Sequence, residues 1–199
     1  MKIIGLTGGS GAGKGEVCRA FLSYGIESID TDKVSREVAQ KGSECLRELT
    51  ENFSGDILTE NGELNRKKLA DIAFKSEDKL KLLNSITHKH IFARCQRWLA
   101  DREKADCEAV IIDAPVLFES GFDRNCDIII SVLADVDKRI ERIIKRDNIT
   151  AEQAMLRIKN QKDDKFFIEH SDYIIYNNSD YSDILIQVEK SLHIINKVK

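Results

Sequence analysis

The sequence predicts an α/β protein with three layers, in which helices cover both faces of a parallel sheet of about five strands. Short apolar runs recur along the chain, each with the length of a buried central strand, and helical stretches separate them. The first run leads into a glycine-rich loop and a helix, and with the second run these segments form a βαβ unit. The strands are predicted at residues 3–7, 26–30, 109–112, 127–133 and 173–176.

The loop after the first strand has the composition of a phosphate-binding loop. From Gly8 to Gly15 it nearly completes the pattern G-x-x-x-x-G-K-[ST], in which backbone N–H groups and the lysine bind phosphate oxygens. We expect its first four glycines to allow positive φ angles. The pattern ends differently, because Gly15 stands where a hydroxyl would bind Mg²⁺ and Glu16 adds a carboxylate. The predicted nucleotide-binding residues of the loop are Gly8, Gly9, Gly11, Ala12, Gly13, Lys14, Gly15 and Glu16.

Helices are predicted from the spacing of apolar residues and from one capping signal. Apolar stripes predict helices at residues 16–23, 136–145 and 184–198. Thr150 followed by Gln153 forms a capping box that opens a further helix through Asn160. Residues 33–108 are rich in charge and helical periodicity, with a turn region around 55–62, and are too long for a simple crossover.

Composition favours one domain with an insertion. The 199 residues include 42% hydrophobic residues, so we expect a core formed by residues 1–32 and 109–199 and a helical insertion at about 33–108. In open α/β sheets ligands bind beyond the carboxyl ends of the strands, so the insertion is placed to bind a second substrate. A decorative helical subdomain is the alternative.

Charge and cysteine content narrow the functional class further. A net charge of -3 and a pI of about 5.9 argue against nucleic acid as the main partner. No basic leader and no long apolar segment occurs, so we expect a cytoplasmic protein without a membrane partner. Five scattered cysteines without a C-x-x-C pair are expected to be reduced thiols.

Three acidic residues follow predicted strands. Asp30 and Asp32 end the second strand, and alternation in an extended segment would point both carboxylates to one side, above the phosphate loop. Either is a candidate Mg²⁺ ligand, and Asp32 is the candidate general base. Asp113 ends the third strand, where a metal-binding carboxylate is typical. The alternative for each is a turn or a helix cap.

Three arginines share one face of the helix predicted at 136–145. Arg139, Arg142 and Arg146 are spaced three and four residues apart, opposite an isoleucine stripe. Guanidinium groups placed in this way can bind a transferring phosphoryl group. A solvated basic face is the more common meaning of such spacing.

Several short motifs, taken in order, resemble the dephospho-CoA kinase family of P-loop kinases. The resemblance extends from Lys2 to about Asn177, and the two differences are at Gly15-Glu16, where the family has Ser-Thr, and at Lys89, where it has Pro. The matching motifs are residues 5–9 before the loop, 29–32, 64–66, 86–88, 115–119, and 142–146 followed by Ala154, Arg157, Ile158 and Gln161.

The resemblance implies a P-loop kinase fold with an acceptor-binding insertion and an arginine-bearing lid at about 139–165. It implies ATP-dependent phosphorylation of the ribose 3′-hydroxyl of dephospho-CoA, the last step of coenzyme A synthesis, with ATP as co-substrate and Mg²⁺. By motif, Asp32 matches the proposed base, and Lys14, Arg142 and Arg146 complete the catalytic set. Arg66 and His88 match acceptor-facing positions, and Asn177 matches a position near the adenine.

Two other functions remain possible from the sequence. Another small-molecule kinase of this fold would also use an Asp-x-Asp after the second strand. A non-catalytic sensor of nucleotide or CoA would fit the changes at Gly15 and Glu16, although the retained lysine and arginines argue against loss of activity. The sequence leaves the oligomeric state open.

Overall fold

The computed structural model describes residues 1–195. Five strands form one sheet: β1 (Lys2–Thr7), β2 (Glu27–Asp30), β3 (Ala109–Asp113), β4 (Ile128–Leu133) and β5 (Tyr173–Tyr176). Their order is β2-β3-β1-β4-β5. The central strand β1 pairs in parallel with β3 and β4, and β4 pairs in parallel with β5. The predicted α/β fold with a five-stranded parallel sheet is therefore confirmed.

Ten α-helices lie in the described residues. The predicted capping box is present, since the Thr150 hydroxyl accepts from the Gln153 amide and the Gln153 side chain returns to the Thr150 amide. Of the last predicted helix, residues 196–198 lie outside the described part of the chain. The helices are α1 (Lys14–Ser23), α2 (Thr31–Val38), α3 (Glu44–Phe53), α4 (Arg66–Ala73), α5 (Glu77–Lys104), α6 (Leu117–Ser120), α7 (Val136–Asp147), α8 (Ala151–Lys159), α9 (Asp164–Glu169) and α10 (Tyr181–Ile195).

The chain divides into two compact units. The sheet unit contains residues 1–29 and the chain from residue 102 onward, and the helical unit contains residues 30–101. The core of the sheet unit is built from apolar side chains on the strands and on α1 and α10, with Ile4, Leu6, Phe21 and Ile130 fully buried. This continuous burial is typical of parallel strands that are covered on both faces.

The helical unit has a hydrophobic cluster of its own. Leu49 on α3 and Ile57 in the 3₁₀ turn Gly55–Ile57 are fully buried, and they pack with Leu69 on α4 and Ile86 on α5. An antiparallel bridge between Leu58 and Leu64 closes the turn region between α3 and α4. This cluster fixes α2 to α5 relative to one another within the unit.

Two expectations about the whole chain concern membranes and thiols. In residues 1–195 no helix combines the length and the apolar character that crossing a bilayer requires. The five cysteines are free, and Cys45 and Cys95 are buried.

Candidate active site

The phosphate loop joins β1 to α1 at the centre of the sheet. Gly11 and Gly13 have φ angles of +78° and +93°, which side-chain-bearing residues rarely adopt. Gly9 was expected to share this property and does not. Instead, a Cβ atom on Gly9 would lie 2.2 Å from Nη2 of Arg139, so a side chain at this position would displace the guanidinium group from its place against the loop.

The first turn of α1 provides the anion-binding groups. Its cap residue, Gly13, has no side chain, so no side-chain oxygen takes the N–H groups at the start of the helix. Those amides, with the positive end of the helix dipole, favour a phosphate. Lys14 is the first residue of α1, and its ammonium group donates to the Gly8 carbonyl at 3.4 Å, which holds the cation over the loop.

Arg139 fixes the middle of the loop from behind. Its side chain is buried, its Nε donates to the Ser10 carbonyl at 3.0 Å and its Nη2 donates to Oε1 of Gln161 at 3.3 Å. The same Gln161 oxygen accepts from the Ser10 amide at 2.8 Å. Both backbone groups of Ser10 are therefore bound by side chains. Burial lowers the pKa of Arg139, while the charge of Asp164 opposes this effect.

Arg142 and Asn177 fix the end of the loop. Arg142 donates to the carbonyls of Gly11 and Ala12, each at 3.3 Å, and to the backbone and side-chain oxygens of Asn177, each at 3.1 Å. Asn177 follows β5, is buried, and donates from Nδ2 to the Ala12 carbonyl at 3.0 Å. In this structure both side chains are therefore loop-positioning groups.

Glu16 and Gly15 are the two residues that depart from the usual loop pattern. Glu16 accepts from Nδ2 of Asn177 at 2.9 Å, and its other oxygen lies 3.7 Å from Arg19. The Glu16 carboxylate is therefore hydrogen-bonded to Asn177, the residue that also contacts the end of the loop. Gly15 is exposed, and a Cβ atom at this position would meet nothing within 4 Å. The structure therefore has room for a serine side chain at position 15, but glycine supplies no hydroxyl there.

Asp113 lies at the carboxyl end of β3, in register with Leu6 near the end of β1. Its Oδ2 accepts from the Cys18 thiol at 3.8 Å. Burial, aided by the Asp113 charge, raises the pKa of the Cys18 thiol to about 12, so the thiol stays protonated and donates. Asp113 is half-buried and was correctly placed at the end of a strand beside the loop.

Arg146 lies one turn beyond Arg142 on α7 and is more exposed. It donates to the Ser10 hydroxyl at 3.4 Å and to the Asp147 carboxylate at 2.8 and 2.9 Å. Hydrogen bonds from Arg146 and from Arg157 on α8 lower the pKa of Asp147 to about 2. The three arginines of α7 therefore all reach the loop, and a simple solvated basic face is ruled out.

The helical unit contains the other predicted residues. Strand β2 ends at Asp30, whose carboxylate caps α2 by accepting from the amides of Asp32 and Lys33 at 2.9 and 3.1 Å. Asp32 is thus helical, and the expectation that Asp30 and Asp32 alternate along an extended segment is wrong. The cap interpretation is correct for Asp30, and Asp32 stays exposed in the first turn of α2.

The two predicted acceptor residues of this unit lie on different helices. Arg66 is exposed at the start of α4, where Asn65 provides the helix cap. His88 is half-buried on α5, and burial lowers its pKa. Within the unit, Arg66 is therefore solvated, whereas His88 is partly enclosed by protein.

Sequence reasoning did not find the anchoring role of Arg139, Gln161 and Asn177. Arg139 lies inside a predicted helix, whereas Gln161 and Asn177 each come directly after a predicted element. Their contacts join residues more than a hundred positions apart, which periodicity and local motifs do not report.

The fold and the loop define a P-loop kinase: a central β1 leads through the glycine-rich loop to Lys14, in a parallel sheet of order 2-3-1-4-5. Comparison with solved structures supports this class. A dephospho-CoA kinase from Campylobacter jejuni matches with a TM-score of 0.70 and 26% identity, covering 99% of this chain and 98% of that one. A shikimate kinase from Acinetobacter baumannii, in complex with shikimate, has a similar fold, with a TM-score of 0.55, 18% identity and coverage of 100% and 96%.

The sequence comparisons are more specific. The family model for dephospho-CoA kinase matches residues 2–183. A dephospho-CoA kinase from Fusobacterium nucleatum subsp. nucleatum is 37% identical over 190 residues, covering 96% of each chain. Another from Corynebacterium efficiens is 34% identical over 200 residues, covering 100% of each. The chain belongs to the dephospho-CoA kinase family.

Proposed function

We propose that the protein transfers the γ-phosphoryl group of ATP to the ribose 3′-hydroxyl of dephospho-CoA, giving CoA and ADP in the cytoplasm. The observation that carries the proposal is a phosphate loop held in shape by side chains of the same unit, in a chain that matches this family over residues 2–183. Side-chain contacts that fix the loop reduce the reorganisation that binding of a triphosphate requires, which favours catalysis by preorganised electrostatics.

The sheet unit binds ATP in this proposal. Amides of the loop and of the first turn of α1 donate to the phosphate oxygens, and Lys14 neutralises charge on the β and γ groups. Arg142 and Asn177 hold the loop, so their effect on the reaction is exerted through its backbone. Arg146, which reaches the Ser10 hydroxyl from the exposed end of α7, is the arginine we assign to the transferred phosphoryl group.

The helical unit supplies the base and the acceptor site. Asp32 has its backbone amide fixed by Asp30, and among residues 1–195 no cation forms an ion pair with its carboxylate. We assign it the acceptance of the 3′-hydroxyl proton as the hydroxyl attacks phosphorus. Arg66 and His88 are assigned to acceptor binding.

Magnesium is the expected partner of ATP. The described residues hold no group of three or more His, Cys, Asp or Glu side chains suited to a metal ion. Mg²⁺ is commonly held by phosphate oxygens and water with one or two carboxylates. Asp113 and Asp32 are the carboxylates we assign to it, and when bound it would neutralise charge on the triphosphate.

Mass detection of CoA tests the proposal. Purified protein is incubated with ATP, Mg²⁺ and dephospho-CoA, with Asp32→Asn as the control variant. We expect CoA and ADP in equal amounts from the wild type, and a rate at least about a hundredfold lower from Asp32→Asn.

Two results would select the alternatives. Faster ADP release with another hydroxyl acceptor would indicate a different small-molecule kinase. Binding of both ATP and dephospho-CoA without CoA formation would indicate a sensor, for which the changes at Gly15 and Glu16 are the supporting observation.

A further inference from the structure

The helical unit contains a cavity of about 420 Å³ with a strong excess of positive charge. Arg36, Lys41 and Arg66 line it, together with one carboxylate, Glu63, and neutral residues that include Leu64. This concentration of cations lies in a protein whose net charge is -3. The excess is therefore local.

The three cations come from separate segments of the chain. Arg36 lies in the last turn of α2, Lys41 in the connection to α3, and Arg66 at the start of α4. The Lys41 side chain packs against the turn at Gly62, since its Cε lies 3.5 Å from the place of a Cβ atom there. The folding of the helical unit, rather than local sequence, brings these side chains to one cavity.

None of the three cations forms an ion pair with a side chain of residues 30–101. The ion pairs found in residues 30–101 join other side chains, such as Lys89 with Glu48 and Arg94 with Glu37. Like charges around one cavity repel each other, and an anion placed among them removes that cost. Guanidinium groups also match the geometry of phosphate oxygens. The cavity is therefore suited to a phosphate-bearing ligand.

Helix α2 relates this cavity to the proposed base. Asp32 and Arg36 are four residues apart on α2, so their side chains lie on one face, separated by about one turn or ~6 Å along the axis. In dephospho-CoA the ribose that carries the 3′-hydroxyl is joined through C4′ and C5′ to a diphosphate. A ribose whose 3′-hydroxyl lies at Asp32 therefore has its diphosphate within reach of Arg36.

We propose that the cavity lined by Arg36, Lys41 and Arg66 binds the diphosphate of dephospho-CoA. The inference rests on the proposed function and extends it, because it adds Arg36 and Lys41 as specificity-determining residues for the acceptor. The diphosphate is not the reacting group, so the interaction is uniform in the ground and transition states. Its loss raises the KM for dephospho-CoA and leaves kcat and the KM for ATP unchanged.

The experiment compares Lys41→Gln with Lys68→Gln, a matched change of an exposed lysine on α4 that does not line the cavity. Binding of dephospho-CoA to the full chain is measured by calorimetry. We expect about tenfold weaker binding for Lys41→Gln, the loss of one charged hydrogen bond, and an unchanged Kd for Lys68→Gln. Lys41→Arg should restore binding to within about twofold, since it keeps the charge.

Each other result has a defined meaning. Equal affinity of Lys41→Gln and the wild type overturns the inference, and so does a Lys41→Arg variant as weak as Lys41→Gln. Arg36→Gln provides a second test if Lys41→Gln does not fold. CoA formation by the wild type is scored separately. A wild type that forms CoA while Lys41→Gln binds normally overturns this inference alone, and a wild type that binds dephospho-CoA but forms no CoA overturns only the proposed function.

Discussion

The cationic side chains of the two units have opposite surroundings. In the sheet unit, Arg139 and Arg142 donate to main-chain carbonyls of the phosphate loop. In the helical unit, Arg36 and Arg66 line an open cavity with no ion-pair partner among residues 30–101. The first pair holds the phosphate loop, and the second is the pair that we propose contacts the acceptor.

Burial explains the difference. Arg139 is 4% exposed, and a buried guanidinium group is stable only when its N–H groups are hydrogen-bonded. Arg36 and Arg66 are exposed, so water solvates them. An arginine that matches a family motif therefore has its role decided by its surroundings.

The largest effect tests this contrast with one substitution in each unit. Arg142→Met removes the donor of four hydrogen bonds and leaves the Asn177 side chain and loop carbonyls without it, so the free energy of unfolding should fall by about 2 to 4 kcal/mol. Arg36→Met should change it by less than about 0.5 kcal/mol. Urea denaturation measures both, and similar losses would show that the contrast is wrong.

The second effect concerns two glycines of the same loop. Gly11→Ala places a Cβ atom 2.5 Å from the Arg139 carbonyl at a φ of +78°, and should destabilise the protein by about 2 kcal/mol or more. Gly15→Ala has open space in a helix and should stabilise it by about 0.5 to 1 kcal/mol. Thermal denaturation distinguishes the two variants. Equal melting temperatures would contradict the conclusion that neighbouring groups pack tightly against the loop at Gly11.

The third effect restores the missing hydroxyl. Gly15→Ser should raise kcat/KM for ATP about fivefold at limiting Mg²⁺, or ~1 kcal/mol, because the open space accepts a metal-binding oxygen. Adding Glu16→Thr to this variant should lower kcat/KM for ATP again in part, because it removes the carboxylate that accepts a hydrogen bond from the Asn177 side-chain amide. Steady-state kinetics decide the matter, and an unchanged or lower value for Gly15→Ser would count against a role for the hydroxyl.

The smallest effect is a pH dependence in the helical unit. Burial lowers the pKa of His88 in the folded protein. At pH values below its ordinary pKa near 6.5 the unfolded chain therefore binds more protons than the folded protein, and the free energy of unfolding decreases as the pH is lowered. His88→Gln removes this contribution. Denaturation between pH 5 and pH 8 should show a flatter profile for the variant, and parallel profiles would refute the burial effect.

Much of the sheet unit follows from the sequence. The strands of the sheet are apolar runs of the right length, and the Thr150 capping box is a local signal. The phosphate loop follows a strand directly and has four glycines before Lys14. Each feature depends on neighbours within about a turn or a strand, so a single sequence contains the information.

The remaining features of the fold and the site depend on contacts that the spacing of residue types along the sequence does not report. The alternation expected for Asp30 and Asp32 failed because the Asp30 carboxylate caps α2, so that a helix begins at Thr31 directly after the strand. The cavity of the helical unit combines residues of α2, the following connection and α4, each of which reads alone as a solvated charge. Only the packing of the helices brings these positions together.

Asn177 has a consequence for how the protein is made. Its amide reaches the Ala12 carbonyl across 165 positions of the chain. A nascent polypeptide that has left the ribosome as far as α5 already contains the whole glycine-rich segment, yet it lacks every anchor supplied by Arg139, Arg142 and Asn177. The ability to bind a triphosphate is therefore acquired late in synthesis. A product terminated before β5 would contain the whole glycine-rich motif, but the side chains that hold the phosphate loop in shape would be incomplete.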